Sequence, residues 1–189
     1  KVRVTKVVDG EEKNFATYKF TDVIADGYTV SIHLGESDNY NAVTVNVKVI
    51  IEAQTVVFDE NLKTQNATYG DLVTSKLSLP TSEYGYWSWV DVIATTTVGD
   101  AGTRTFTATF ISNSQNYKAD NVTVTVNVAK ATVIVPTIDA SKLNQTYTSG
   151  KLTSGLTVAQ DGLYSIEDNG GTDVGTYKAT LTLKDFANY

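Results

Sequence analysis

The sequence predicts an all-β protein arranged as a tandem array of small antiparallel modules, on three observations. Thr occurs 29 times in 189 residues, alongside no Met, no Cys and two Pro. Thr and Val are β-branched and fit a pleated, half-buried surface. No stretch sustains apolar residues at the i, i+3, i+4, i+7 spacing of a helix, whereas several alternate strictly between apolar and polar. One alternating hairpin pattern also recurs along the chain. Its clearest copy runs Gly102-Thr103-Arg104-Thr105-Phe106-Thr107-Ala108-Thr109-Phe110, turns at Asn116-Tyr117, and returns as Asn121-Val122-Thr123-Val124-Thr125-Val126-Asn127-Val128.

Residues 1–53 give four strand-like runs. The first, 2–8, ends at the turn Asp9-Gly10, and 13–20 follows. In Tyr28–Leu34, alternation places Tyr28, Val30, Ile32 and Leu34 on one face, with Thr29, Ser31 and His33 on the other. In 43–51, Val43, Val45, Val47 and Val49 take the inner face, and Thr44, Asn46 and Lys48 the outer. This is the pattern of an antiparallel sheet wet on one side only.

Residues 54–130 repeat that ending, with Arg104, Phe106, Ala108 and Phe110 on one arm and Val122, Val124, Val126 and Val128 on the other. Aligned on the hairpin, Tyr28, Arg104 and Tyr177 correspond, and the turns Asn39-Tyr40, Asn116-Tyr117 and Asn188-Tyr189 follow at like distances. Recurrence at one period signals repeated structure. Residues 131–189 hold a first arm (Tyr177, Ala179, Leu181, Leu183) without a returning strand, so the natural chain is expected to continue past Tyr189, or else the last repeat to borrow a strand from a neighbour. The domains expected are therefore 1–53, a partial module; 54–130, a complete one; and 131–189, one lacking its last strand. The joints at 47–57 and 126–135 carry no Gly and hardly any flexible polar spacer. Such joints favour a stiff rod.

Several motifs resemble a known family. Ala67-Thr68-Tyr69-Gly70-Asp71-Leu72, Leu79-Pro80, Trp87-Ser88-Trp89-Val90-Asp91, Val98-Gly99-Asp100-Ala101-Gly102 and Asn116-Tyr117 resemble bacterial immunoglobulin-like cell-surface repeats, the MBG repeat of the YGX type. Asn169-Gly170-Gly171-Thr172-Asp173-Val174-Gly175-Thr176-Tyr177 with Asn188-Tyr189 is similar to the related YDG-like repeats. The resemblance implies tandem Ig-like antiparallel β-sandwich repeats in an extended array. It further implies a Gram-positive exported protein, extracellular at the cell surface or secreted, in which such modules string a distal functional domain away from a wall anchor. The first module departs from the pattern at Ala25-Asp26-Gly27-Tyr28, and the third has Tyr147-Thr148-Ser149-Gly150 in place of Tyr-Gly-Asp. A β-grasp-like or other small β module is the alternative topology, because alternation does not give strand order.

Charge excludes one class of partner. The net charge of −6 divides as −2 in each of 1–53, 54–130 and 131–189, with no basic cluster. A nucleic-acid binder needs a positive stripe to displace counterions. No run of about eighteen apolar residues is present to cross a membrane. The absence of Cys removes disulfides and thiolate metal sites.

Catalytic chemistry is sparse, and neither an enzymatic site, a metal site nor a cofactor is expected. His33 is the sole histidine and sits on a polar strand face beside Thr29 and Ser31. Glu11-Glu12, Asp59-Glu60 and Glu167-Asp168 fall in expected turns or loops, and adjacent carboxylates on extended chain diverge, whereas glycoside hydrolysis needs two about 5 to 10 Å apart across a cleft. Asp91, Asp100, Asp120 and Asp173 form no Asp-x-Asp-x-Asp run for calcium. An intramolecular Lys–Asn isopeptide bond would need Asn46 or Asn127 inside the core, but their valine neighbours claim the inward face.

The densest aromatic patch is Tyr84, Tyr86, Trp87 and Trp89, the candidate ligand-binding residues. Trp87 and Trp89 share a face and suit a core pair. Tyr84 and Tyr86 are better placed for exposure, where flat rings stack on sugars. The leading expectation is a non-catalytic spacer whose partners are the neighbouring repeats. The alternative is an adhesive module that binds carbohydrate or a host protein through these aromatics or through loop ends.

Overall fold

A computed structural model describes residues 4–8, 10–12, 18–158, 162–167 and 169–189. The described residues form fifteen strands in chain order: β1 Val4–Val8, β2 Glu11–Glu12, β3 Tyr28–Leu34, β4 Val43–Val49, β5 Gln54–Thr55, β6 Thr64–Thr68, β7 Thr81–Ser82, β8 Gly85–Trp89, β9 Gly102–Ser112, β10 Tyr117–Lys118, β11 Val122–Ala129, β12 Thr137–Ile138, β13 Leu156–Thr157, β14 Tyr164–Glu167 and β15 Thr180–Leu183. Among the described residues, helix is limited to one turn of α-helix, α1 at Val73–Lys76, and two 3-10 turns. The protein is β-rich, as the Thr/Val composition predicts. Two compact units divide it, one of Lys1–Lys63, Leu79–Asp91 and Phe106–Val124, the other of Thr64–Ser78, Val92–Thr105 and Thr125–Tyr189. Strands β9 and β11 contribute residues to both.

In the first unit, β2-β1-β3-β4 form an antiparallel sheet. Tyr28 faces Val49, Val30 faces Val47 and Ile32 faces Val45, so the alternating apolar sets share one side. Val8, Tyr28 and Val30 are buried there, under Tyr18, Phe20 and Ile51. The Phe20 ring lies 4.9 Å from Tyr28 and Tyr18 meets Phe20 edge-on at 5.0 Å. A strand was expected over 13–20; residues 13–17 lie outside the described set, and 18–20 are not strand but supply these covering rings.

The inward valine row of β4 departs from expectation. Val43, Val45 and Val47 are exposed at 48%, 49% and 46%. Period-two alternation decides which side chains share a face, and the described aromatic cover reaches only the Val49 end of that face. Glu11-Glu12, expected in a turn, form β2 through pairing with Val7 and Val8.

The first unit also holds β7-β8-β9, antiparallel throughout, with Trp87 opposite Phe110 and Trp89 opposite Ala108. Ala108, Val124 and Phe58 are buried beside them. Strand β5 pairs with β10, and this pair is parallel, Gln54 aligned with Tyr117. In the second unit β6 and β11 are parallel too, Ala67 aligned with Val128. Purely antiparallel pairing was expected. Parallel neighbours instead need a long connection, and some sixty residues separate each pair in sequence.

Val126, Val128, Ala67, Val73, Leu77 and Val98 are the buried apolar residues among the described ones of the second unit. Its loops are fastened by main-chain bonds from Val73 N to Thr96 O and from Val98 N to Asp71 O, both 2.9 Å, while the Asp71 carboxylate accepts from Thr68 N at 2.8 Å. Farther along, β12 pairs with β13 and β14 with β15. The expected arm from Tyr177 is strand only over Thr180–Leu183. Four-residue β14 supplies ladder partners for just those residues.

Candidate functional site

The aromatic strand is built by β8. Gly85 opens it opposite Ser112, in a place where an added methyl would run into the Ile111 carbonyl oxygen. Beyond it the side chains alternate. Trp87 points inward and is 6% exposed, with Phe58 edge-on at 4.9 Å and Phe110 tilted at 5.3 Å. Trp89, half-buried, meets Phe106 at 6.2 Å. Tyr84 is half-buried and stacks on Tyr117 with centroids 4.1 Å apart and planes 21° from parallel. Tyr86 is 60% exposed and lies on the outer face opposite Ile111. The four candidate residues are thus dispersed: two tryptophans in the packing, one stacked tyrosine, one outward tyrosine.

A cleft of about 540 Å³ adjoins Tyr84 and Trp87, walled by Gln54, Thr55, Ser82 and Glu83. The hydrogen bond and charge of Glu83, followed by burial, hold the Tyr84 phenol above its ordinary pKa, so it stays neutral at physiological pH. The Trp87 indole N–H is buried without a hydrogen-bond partner among the described residues. The described groups lining this cleft can donate and accept hydrogen bonds, and Glu83 is the acidic side chain among them.

The other candidates are isolated. His33 Nδ1 lies 2.9 Å from Thr44 Oγ1, directly across the β3–β4 ladder. Ser31 donates to Asn46 at 2.7 Å on the same exposed face. Asn127 donates to Asn66 at 3.5 Å and is exposed as well. Asp59 caps the 3-10 turn Glu60–Leu62, accepting from Asn61 N at 2.9 Å, and Glu60 pairs with Lys63 at 2.7 Å. Glu167 ends β14, and its neighbour Asp168 lies outside the described residues. No cluster of three metal-ligating side chains exists among the described residues.

The best-built polar features are two asparagines whose role sequence reasoning missed. In the first unit, Asn116 Oδ1 accepts from Val23 N at 2.6 Å, its Nδ2 donates to the Asp22 carboxylate at 3.0 Å, and its carbonyl accepts from Gln54 N at 2.8 Å. The Asn116 hydrogen bond, aided by Thr21, lowers the Asp22 pKa. In the second unit, Asn188 Oδ1 accepts from Ala101 N at 2.8 Å, Nδ2 donates to Asp100 at 3.1 Å and to Asp185 at 3.0 Å, and the carbonyl accepts from Ala131 N at 2.8 Å. Lys130 Nζ donates to the carbonyls of Phe186 and Tyr189 beside it. Each asparagine therefore grips an Asp-X dipeptide with its amide and a segment start with its main chain.

The two loops they grip, and a third at Asp173, share a further bond. Tyr28 OH donates to Asp22 O at 3.0 Å, Arg104 Nε to Asp100 O at 3.0 Å, and Tyr177 OH to Asp173 O at 2.9 Å. These donors are the three positions aligned from sequence. The signal that could have found the clamp was the Asn-Tyr recurrence itself, met with an Asp four residues before Arg104 and before Tyr177. Comparison with family models, with curated proteins and with solved structures gives no match. The chain is β-rich, and its two best-connected asparagines fasten segments within each unit.

Proposed function

We propose that the chain is a set of tandem Ig-like β-sandwich modules acting as a non-catalytic spacer in a bacterial cell-surface protein, where it holds a distal functional domain off the wall. One observation carries this reading: the asparagine clamp occurs twice, at Asn116 and Asn188, on equivalent partners. A spacer must resist bending at its joints, and each clamp ties the start of one sequence segment to a loop of the segment before it. Two further recurrences support the reading. The Asp carbonyl is held at all three aligned positions, and Asp139 caps Ala140–Lys142 by accepting from Ser141 N at 2.9 Å, as Asp59 caps its own 3-10 turn.

The experiment is ¹⁵N relaxation on the native chain and on Asn116→Ala. In the native chain, amides of 18–51 and of 85–89 should report one rotational correlation time. In Asn116→Ala the two sets should diverge. Independent tumbling already in the native chain would remove the spacer reading, since a flexible joint transmits no position. The adhesive reading keeps one supporting feature, the outward Tyr86 ring beside Ile111, and titration with glycans monitored at the Tyr86 ring resonances tests it.

A further inference from the structure

The cleft beside Trp87 is walled by strand edges. Residues 54–57 line one side and 81–84 the other, and Trp87 completes the lining. Successive side chains of an extended chain point to opposite faces. A cleft touched by four consecutive residues on each wall therefore runs along the main chain rather than over one face of a sheet. On the first wall, Gln54 N donates to Asn116 O and Val56 N to Lys118 O, both at 2.8 Å. Those bonds join β5 to β10, so the main-chain groups of Thr55 and Val57 turn to the opposite edge. Val57 is 77% exposed, which leaves that edge open to an incoming chain. On the second wall, β8 takes one edge of β7, and β7 has no second partner strand among the described residues. Open edges of this kind accept an added strand.

The walls are held before anything binds. The Asn113 side chain donates to Glu83 O and its main-chain N–H to Tyr84 O, both at 3.0 Å, and the Tyr84 ring is stacked on Tyr117. The volume of about 540 Å³ falls within the range of preformed ligand sites. One group in the lining is unsatisfied. Trp87 is 6% exposed and its indole N–H has no partner among the described residues, whereas buried donors are nearly always bonded. Glu83 is exposed and is the charged side chain of the described lining, which holds no basic residue to oppose it.

We propose that this cleft takes up an extended, basic peptide segment of a partner protein, added as a strand between β5 and β7. The peptide main chain bonds to Thr55 and Val57 on one side and to β7 on the other. One of its carbonyls accepts from the Trp87 N–H, and a lysine or arginine side chain meets Glu83. Walls of this length hold about four residues at about 3.3 Å each. Main-chain pairing supplies the affinity, and Glu83 the selectivity. A saccharide would stack on exposed ring faces, but Trp87 is buried and Tyr84 gives one face to Tyr117. Such a site is a function beyond spacing, and Tyr86 is not part of its lining.

The test uses the full chain, ¹⁵N-labelled and titrated with a capped pentapeptide that alternates valine and lysine, up to about five times a millimolar Kd. The Thr55 and Val57 amides and the Trp87 indole N–H should shift downfield progressively. The same peptide methylated at each main-chain nitrogen should leave them unmoved. A valine–glutamate peptide should bind at least about tenfold more weakly, and Glu83→Gln should abolish that preference. Trp87→Phe, which keeps a ring but lacks the N–H, should bind the lysine peptide about two- to thirteenfold more weakly. Glu83 is exposed, so its variant tests the site even where Trp87→Phe disturbs the packing. Resonances that stay in place, that move equally with the methylated peptide, or that respond as strongly to maltose overturn the proposal.

Discussion

Replacing Asn188 by alanine tests the clamp where it is most buried. The side chain is 7% exposed and its amide serves three partners: Ala101 N at 2.8 Å, Asp100 at 3.1 Å and Asp185 at 3.0 Å. In Asn188→Ala the half-buried Ala101 N–H loses its acceptor, which costs about 1–3 kcal/mol for an unsatisfied donor. The two carboxylates are partly exposed and regain water, so each loss is smaller, about 0.5 kcal/mol. The sum is about 2–4 kcal/mol, a fall of about 30- to 850-fold in hydrogen-exchange protection at Ala101. Exchange is read at Ala101 and at Ala131, whose bond to the Asn188 main-chain carbonyl survives the substitution and serves as the internal reference. Asn188→Asp separates shape from charge. It keeps an acceptor for Ala101 but sets a third carboxylate against Asp100 and Asp185, which raises the new group's pKa in the folded state. The penalty is then absent below the unfolded carboxylate pKa of about 3.9 and complete above the raised folded value, so this variant should be weaker than alanine at pH 7 and recover on acidification. A change below threefold at Ala101 in Asn188→Ala would refute the reasoning.

Other expectations follow from the same contacts. Trp87→Ala should cost about 3–5 kcal/mol in urea unfolding through the cavity left between Phe58 and Phe110, whereas Trp87→Phe loses no hydrogen bond and should cost far less; equal losses would show that the indole N–H has a partner. Tyr86→Ala, on the outer face, should stay within about 0.5 kcal/mol. The Asp22 pKa is depressed by Asn116, so the stability it lends is present above the ordinary carboxylate pKa of 3.8 and is lost as pH falls through the lower folded value. Acid titration should therefore increase exchange at Val23, and in Asn116→Ala that pH dependence should shrink to what the Thr21 hydrogen bond sustains. Gly27 has φ +69° and an added Cβ would lie 2.7 Å from Val49 O, so Gly27→Ala should destabilise the β3–β4 end by at least about 1–3 kcal/mol, measured by thermal unfolding.

The strands were legible because alternation is written into neighbouring residues. Tyr28, Val30 and Ile32 face the valines of β4 as their spacing requires, and Trp87 and Trp89 share a face for the same reason. Cover is another matter: Val43, Val45 and Val47 have the pattern of a buried row, yet burial depends on a second layer that alternation does not encode. Helix α1 spans four residues, too few for any period to register. The parallel pairs β5–β10 and β6–β11 join residues some sixty apart, and no local signal announces them. The asparagine clamps lay between these extremes. Their residues were visible as recurring turn marks, but the partners Asp22 and Asp100 are 94 and 88 residues away, beyond any motif window.

The chemistry of those clamps bears on the ionic surroundings in which they hold. Exposed pairs of opposite charge weaken as added salt shortens the Debye length to about 3 Å at 1 M. The amide bonds of Asn116 and Asn188 present no such pair to be screened, but Asp100 also pairs with Arg104 at 3.6 Å, so added salt acts on the surroundings of the Asn188 clamp and leaves the amide bonds themselves in place.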